Sequence, residues 1–249
     1  MLGWAGVSQA ENTFFWRMEG TTLSGTDDHD AGDTSIELSG TAAINGTAAL
    51  VGSNGVQILT AGDHARWDSS TALISPTVGS VGFRVRVQTW ANGGTFWYVR
   101  GSSYTYAIRI AMVSGDELRL QFNEDSGVST LDTTAANLAT DTTYIVTASW
   151  DQPANARRLR VYNSSNVLIQ EVSDLTTAYT APVDLATTNG ARVGDATGAN
   201  AAYYIDNLFL DDTWAGADEI LCNNSITSYT AYAACSGGAR PGGLLLGVW

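Results

Sequence analysis

The chain contains no lysine, so all twelve of its basic residues are arginines. Against 25 acids this leaves a net charge of −13. Such a balance excludes binding to a phosphate backbone, which needs clustered positive charge. The missing lysine is accounted for by GC-rich coding or a saline habitat and carries no functional reading. Histidine is nearly as scarce: His29 and His64 are the only two, which leaves little for general acid–base chemistry. The two cysteines, Cys222 and Cys235, sit close together near the C-terminal end. A disulfide between them and a pair of free thiols both fit, and no histidine lies near enough in sequence to make them a zinc site. No apolar run approaches the length that crosses a membrane. The opening residues, MLGWAGVSQAENTFFW, lack the basic region and apolar core of a signal peptide. The expectation is a protein that neither inserts into a membrane nor carries a leader.

Charged residues make up only 15% of the 249, and Gly, Ala, Thr and Ser are plentiful. A chain of this length buries about three quarters of its unfolded surface without needing a covalent staple. Runs with a period of two recur along it. Residues 81–88 (VGFRVRVQ) alternate Val81, Phe83, Val85 and Val87 against Arg84 and Arg86. Residues 95–100, 104–113, 116–122, 141–151, 157–163 and 167–172 read as further strands, with Gly, Ser, Asn and Asp turns between them. Residues 35–38, 42–50, 56–59 and 191–195 are shorter candidates, while 61–70, with His64 and Trp67, read as a loop. Strands at intervals of about 8–12 residues predict a sandwich or barrel.

The stretch 201–212, AAYYIDNLFLDD, is the longest of these runs and is apolar on both faces, yet it carries Asp206 at its centre. A buried acid must be paired, liganded or at an edge. This run resembles the closing strand of concanavalin A-like, laminin-G-like jelly-roll domains. Other segments resemble the same family in the same order: 13–19 (TFFWRME) followed by Gly20, the GSNGVQI segment at 52–58, residues 81–88, the DTTYIVTASWD strand at 141–151, RRLRVYN at 157–163, and ARVGD at 191–195. Met18, Tyr144 and Ser164-Ser165 depart from the family pattern. The resemblance covers residues 13–212. It implies an all-β fold, an antiparallel β-sandwich of concanavalin A-like jelly-roll type, here with an extended N-terminal arm (1–12) and a C-terminal tail (213–249).

The resemblance also implies two kinds of site. The first and last strands of jelly rolls often run side by side, which would bring Glu19 near Asp206 in a calcium brace. The alternative is that Asp206 caps backbone N–H groups with no ion. Asp28 and Asp30 lie in an acidic loop with Asp27 and Asp33, and are weaker cation candidates, because the loop lacks the EF-hand spacing and equally fits a solvated acidic turn. The second site is for glycans, using exposed aromatics with loop polar groups. Trp90, Trp97, Tyr98, Tyr104 and Tyr106 are its candidates, although aromatics on alternating strands are commonly core.

No catalytic set is found. The closely spaced carboxylate run of jelly-roll glycosidases (E-x-D-x-x-E) is absent, and Glu117, Glu124 and Asp125 do not form it. There is no G-x-S-x-G, H-E-x-x-H or phosphate loop. The expected function is therefore non-catalytic. Trp4 in the N-terminal arm, and Leu244, Leu245, Leu246 and Trp249 at the end of a Gly/Pro-rich strap, suit docking on copies of this chain or on other subunits. The favoured reading is a structural or surface protein of a larger assembly, a phage virion component (head decoration or tail), located in the virion. The alternative is a carbohydrate-binding module of a secreted or cell-surface protein. Its expected partners are assembly subunits and glycans, with no nucleic acid, and calcium as the one candidate cofactor.

Overall fold

A computed structural model of the chain describes residues 14–21, 36–66, 75–100, 106–124, 127–133, 138–180, 191–194, 200–211 and 214. Its elements in chain order are β1 (Phe14–Trp16), β2 (Glu37–Ser39), β3 (Ala43–Asn45), a 3-10 turn (Gly46–Ala48), β4 (Gly55–Ile58), β5 (His64–Arg66), β6 (Val78–Thr89), β7 (Thr95–Val99) and β8 (Ile108–Val113). There follow β9 (Glu117–Glu124), β10 (Gly127–Asp132), β11 (Thr143–Asp151), β12 (Ala156–Asn163), β13 (Leu168–Asp174), β14 (Ala191–Gly194) and β15 (Ala202–Asp211). All described pairings are antiparallel. One sheet has the order β13-β12-β11-β6-β15-β4-β3, with β1 also on β15, and the other has β10-β9-β8-β7-β14-β5-β2. The architecture is the antiparallel jelly-roll sandwich expected above. Among the described residues no helix is long and apolar enough to cross a membrane.

Alternation decides what each strand buries. Val81, Phe83, Val85 and Val87 of β6 face the other sheet, as do Tyr144, Val146, Ala148 and Trp150 of β11. The opposing sheet answers with Ile108, Ile110 and Met112 of β8 and Leu118, Leu120 and Phe122 of β9. At the centre Trp97 stacks on Trp150, ring centroids 6.4 Å apart, and Phe122 meets Trp150 edge-on at 6.0 Å. The buried polar tips of Tyr203 and Trp150 find partners, which lowers the cost of placing them in a core. The Tyr203 hydroxyl donates to the Thr95 carbonyl at 2.5 Å, and the Trp150 indole to the Ser75 carbonyl at 3.0 Å.

Three segments differ from expectation. Residues 42–50 form one short strand and then a 3-10 turn, because the Asn45 side chain accepts the Ala48 N–H and caps the chain out of extended geometry. The piece around His64, expected as a loop, is a strand wedged between β14 and β2. Strand β10 had no reading from sequence. The N-terminal arm, the acidic loop with Asp28 and Asp30, both cysteines and the apolar end of the tail lie outside the described residues. Trp214 is described, and the Arg158 guanidinium lies 4.8 Å from its ring centroid, on the outer side of the eight-stranded sheet.

Candidate functional site

Two places gather chemistry. The first is a seam along β15. On one edge β15 pairs with β6. On the other it changes partner: Tyr203–Ile205 pair with β4, and Leu208–Leu210 pair with β1. Asp206 and Asn207 fall in the gap, where the register with β6 also shifts and Asn207 takes a left-handed φ of 50°. The Asp206 carboxylate fills the gap. Its Oδ2 accepts the N–H groups of Leu50 and Val51 at 2.9 and 2.8 Å, and its Oδ1 accepts that of Asn207 at 2.8 Å. Glu19 holds the same turn from the other side. Its Oε1 accepts the Ser53 N–H at 2.9 Å and its Oε2 accepts from the Asn54 amide at 3.3 Å. The turn needs glycine at position 52: φ is +73°, and a Cβ there would stand 1.9 Å from Glu19 Oε1.

Burial pushes the Asp206 carboxyl up to about 7; the three N–H donors pull against that rise, and the charge of Glu19 adds to it. The structure brings Glu19 and Asp206, the two acids singled out in the sequence, to the same turn at residues 50–54. Their surroundings, however, are N–H donors, whereas calcium takes a shell of six to eight oxygens. Among the described residues no third acid, histidine or cysteine joins them in a metal-holding group. The pair therefore fits the capping alternative, and the described residues do not build the expected calcium brace.

The second place is the outer face of the seven-stranded sheet. Strand register aligns one residue from every strand into a continuous row: Thr130, Gln121, Arg109, Tyr98, Arg192, Arg66 and Glu37. Local chemistry fixes this row. At the head of β5, Asp63 accepts the Thr41 N–H and hydroxyl at 2.6 and 2.7 Å and the Leu59 and Thr60 N–H groups at 3.1 and 2.9 Å. Burial alone would raise the Asp63 carboxyl; these four bonds outweigh it and hold it below the usual range. Strand β14 can approach β5 because residue 194 is glycine, with φ +123° and only 2.3 Å between a Cβ placed there and the Asp63 carbonyl. Further along, Arg109 donates through Nε and Nη2 to Gln121 Oε1 at 3.0 and 2.9 Å while its guanidinium lies 3.9 Å over the Tyr106 ring. The Gln121 amide donates to Asn123, whose own amide donates to the Tyr106 carbonyl at 2.6 Å. His64 sits one step along the face and donates from Nδ1 to the Gly62 carbonyl at 2.8 Å. Burial holds its pKa below the ordinary histidine value, and the charges of Arg192 and Arg66 reinforce this.

The aromatic candidates separate on this frame. Trp97 is fully buried, because a bulge between Thr95 and Trp97 turns the consecutive rings of Phe96 and Trp97 both into the core. It cannot stack on a sugar. Tyr98 faces outward but is 1% exposed, and its hydroxyl supports Arg192 rather than offering an open ring. Trp90 is half-buried, donates to the Leu138 carbonyl and packs edge-on against Phe96. Tyr104 lies outside the described residues, and Tyr106 stands on the outer face. Sequence reasoning missed Arg66, Arg109, Gln121 and Arg192. The outward position of Arg109 was readable from its alternation with Ile108 and Ile110; the register that aligns the four was not.

No family model and no curated protein matches the chain. Solved structures do. The binding domain of botulinum neurotoxin serotype D superposes with a TM-score of 0.58 at 10% identity, over 91% of this chain and 52% of that one. A Trypanosoma rangeli sialidase, in complex with the inhibitor DANA, gives 0.54 at 12% identity, over 88% of this chain and 33% of that one. The chain thus spans about half and a third of these two neighbours. Domain 4 of AbnA, a GH43 extracellular arabinanase from Geobacillus stearothermophilus in complex with arabinotriose, gives 0.52 at 14% identity over 82% and 94%. At these identities the likeness is one of fold.

Proposed function

We propose that the chain is a carbohydrate-binding domain whose ligand lies across the outer face of the seven-stranded sheet. The carrying observation is the aligned row with its Tyr106–Arg109–Gln121–Asn123 network. It presents planar donors and a ring whose positions are set by hydrogen bonds before any ligand arrives. Support comes also from the arabinanase domain of the same fold, which holds arabinotriose. Glu37 and Asp132, each held by an arginine, stand on the two edge strands of this sheet. Six inter-strand steps separate them by roughly 29 Å, so this pair cannot act as the carboxylates of a glycosidase, which stand about 5–10 Å apart.

Screening against a glycan array, followed by titration calorimetry, tests this. Arg109→Ala should weaken the ligand found by about tenfold or more, the worth of a lost charge-assisted hydrogen bond. A wild-type protein that binds no glycan in either assay would sink the proposal. Secretion or display on a surface is the setting that suits it. A role as a virion or other assembly component rests on residues 1–12 and 213–249. Light scattering of the full chain beside one lacking 1–12 and 237–249 tests that role, which predicts an oligomer that reverts to monomer without them.

A further inference from the structure

Four arginines stand on the outer face of the seven-stranded sheet among the described residues, and three of them use the same edge of the guanidinium. Arg66 sends Nε and Nη2 to Glu37 Oε2 at 2.9 and 2.6 Å. Arg109 sends the same pair of nitrogens to Gln121 Oε1. Arg119 sends them to the two carboxylate oxygens of Asp132 at 2.7 and 2.6 Å. Arg192 breaks the pattern. Its Nη1 donates to the Tyr98 hydroxyl at 3.2 Å, but its Nε is buried and meets no acceptor. No acid among the described residues forms an ion pair with it, and the residue as a whole is only 8% exposed.

A buried guanidinium nitrogen without an acceptor is unfavourable, and the cross-strand neighbour makes matters worse. Arg66 lies directly opposite in register, a like-charge pairing that destabilises a sheet. Glu37 neutralises Arg66 and not Arg192. His64 cannot supply the missing negative charge. The arrangement is costly for the free protein and becomes favourable only when an anion arrives. Arginine offers a planar fork whose geometry matches a carboxylate, and the three neighbouring arginines show which edge does the binding.

We infer that the Nε–Nη2 edge of Arg192 receives the carboxylate of an acidic sugar, a uronic or sialic acid residue, within the glycan site proposed above. The inference rests on that glycan-binding reading and narrows its ligand class. Tyr98 acts as a positioning residue: its hydroxyl fixes Nη1 on the far side of the guanidinium and leaves the Nε side without an acceptor from its own chain.

Calorimetry on the full chain with matched pairs of probes tests it. One pair is trigalacturonate and its fully methyl-esterified form, and the other is 3′-sialyllactose and lactose; the two pairs distinguish uronate from sialate. The acidic member of at least one pair should bind roughly tenfold or more tightly than its neutral partner. That preference should weaken with added salt. Arg192→Gln should bring the acidic and neutral members to equal affinity, and Arg192→Lys, which keeps charge but not the fork, should restore only part of the preference. Tyr98→Phe should reduce the preference with a smaller effect. Equal affinity for acid and neutral members in the wild type would overturn the inference and leave the glycan reading standing, as would a preference retained in Arg192→Gln. If none of the four probes nor any array glycan binds, both readings fail. Should Arg192→Gln not fold, the wild-type ratio and Tyr98→Phe decide.

Discussion

Asp206 and Arg192 are both charged groups withdrawn from water, and the protein treats them oppositely. Asp206 sits in a gap of one sheet with every bond closed by its own chain: Leu50, Val51 and Asn207 all donate to it. Arg192 sits on the face of the other sheet with Nε meeting nothing. A carboxylate so surrounded holds a fold together. A guanidinium whose Nε is left without an acceptor does little for the fold, and that is the group the proposed acidic ligand would use. Satisfaction of hydrogen bonds, more than burial or charge, separates the two roles.

Removing each side chain is the most direct way to break that contrast. Asp206→Ala orphans the N–H groups of Leu50, Val51 and Asn207 inside the sheet. It should cost about 3–5 kcal/mol in urea unfolding. A loss under about 1 kcal/mol would make the seam ornamental.

The next effect in size is pH dependence. The folded state raises the Asp206 carboxyl to about 7, above its unfolded value, so the folded protein binds the extra proton between these values. Stability from this group should be full below about pH 4 and fall as pH rises towards 7, by at most about 1.4 kcal/mol per unit. Asp63 and Asp174, held below the usual range, act with the opposite sign and lose their contribution as pH falls below about 4. Unfolding curves across pH 3–8 should therefore decline above pH 4, and Asp206→Asn should flatten that limb.

Gly52→Ala should cost about 1–2 kcal/mol, from positive φ and the collision with Glu19. Arg192→Gln, by contrast, should change stability by less than about 1 kcal/mol in either direction, because an unsatisfied buried charge leaves with it. A large destabilisation there would move Arg192 into the same class as Asp206. Smallest of all, calcium or a chelator should leave the melting temperature of the wild type unchanged.

The two sites also differ in how legible they were. Alternation made β6, β8, β9 and β11 readable, and a lone acid in an apolar run made Asp206 conspicuous. Its pairing with Glu19 followed from the family resemblance. Strand β5 was invisible because three residues, with a polar side chain at each end, carry no period. Strand β10 was invisible because Val128 and Leu131 fall on opposite faces. The Arg192 site was hidden for a deeper reason. Arg66, Arg109 and Arg192 are far apart in sequence, and only the hydrogen-bond register of four strands brings them into line. The bulge that turns Trp97 inward left no mark on an unbroken TFWYV run.

The partner change along β15 bears on how the protein is made. The strand emerges last among those described, yet it knits together β6, β4 and β1, the last of these through residues 14–16. Until residue 211 has left the ribosome, the eight-stranded layer has a slot in its middle and its first strand has nowhere to pair. The nascent chain must therefore wait, with apolar faces uncovered, and then close contacts nearly two hundred residues apart. Such topology folds slowly and is exposed to aggregation while it waits. Chaperone dependence during synthesis would then follow from the position of one strand in the chain.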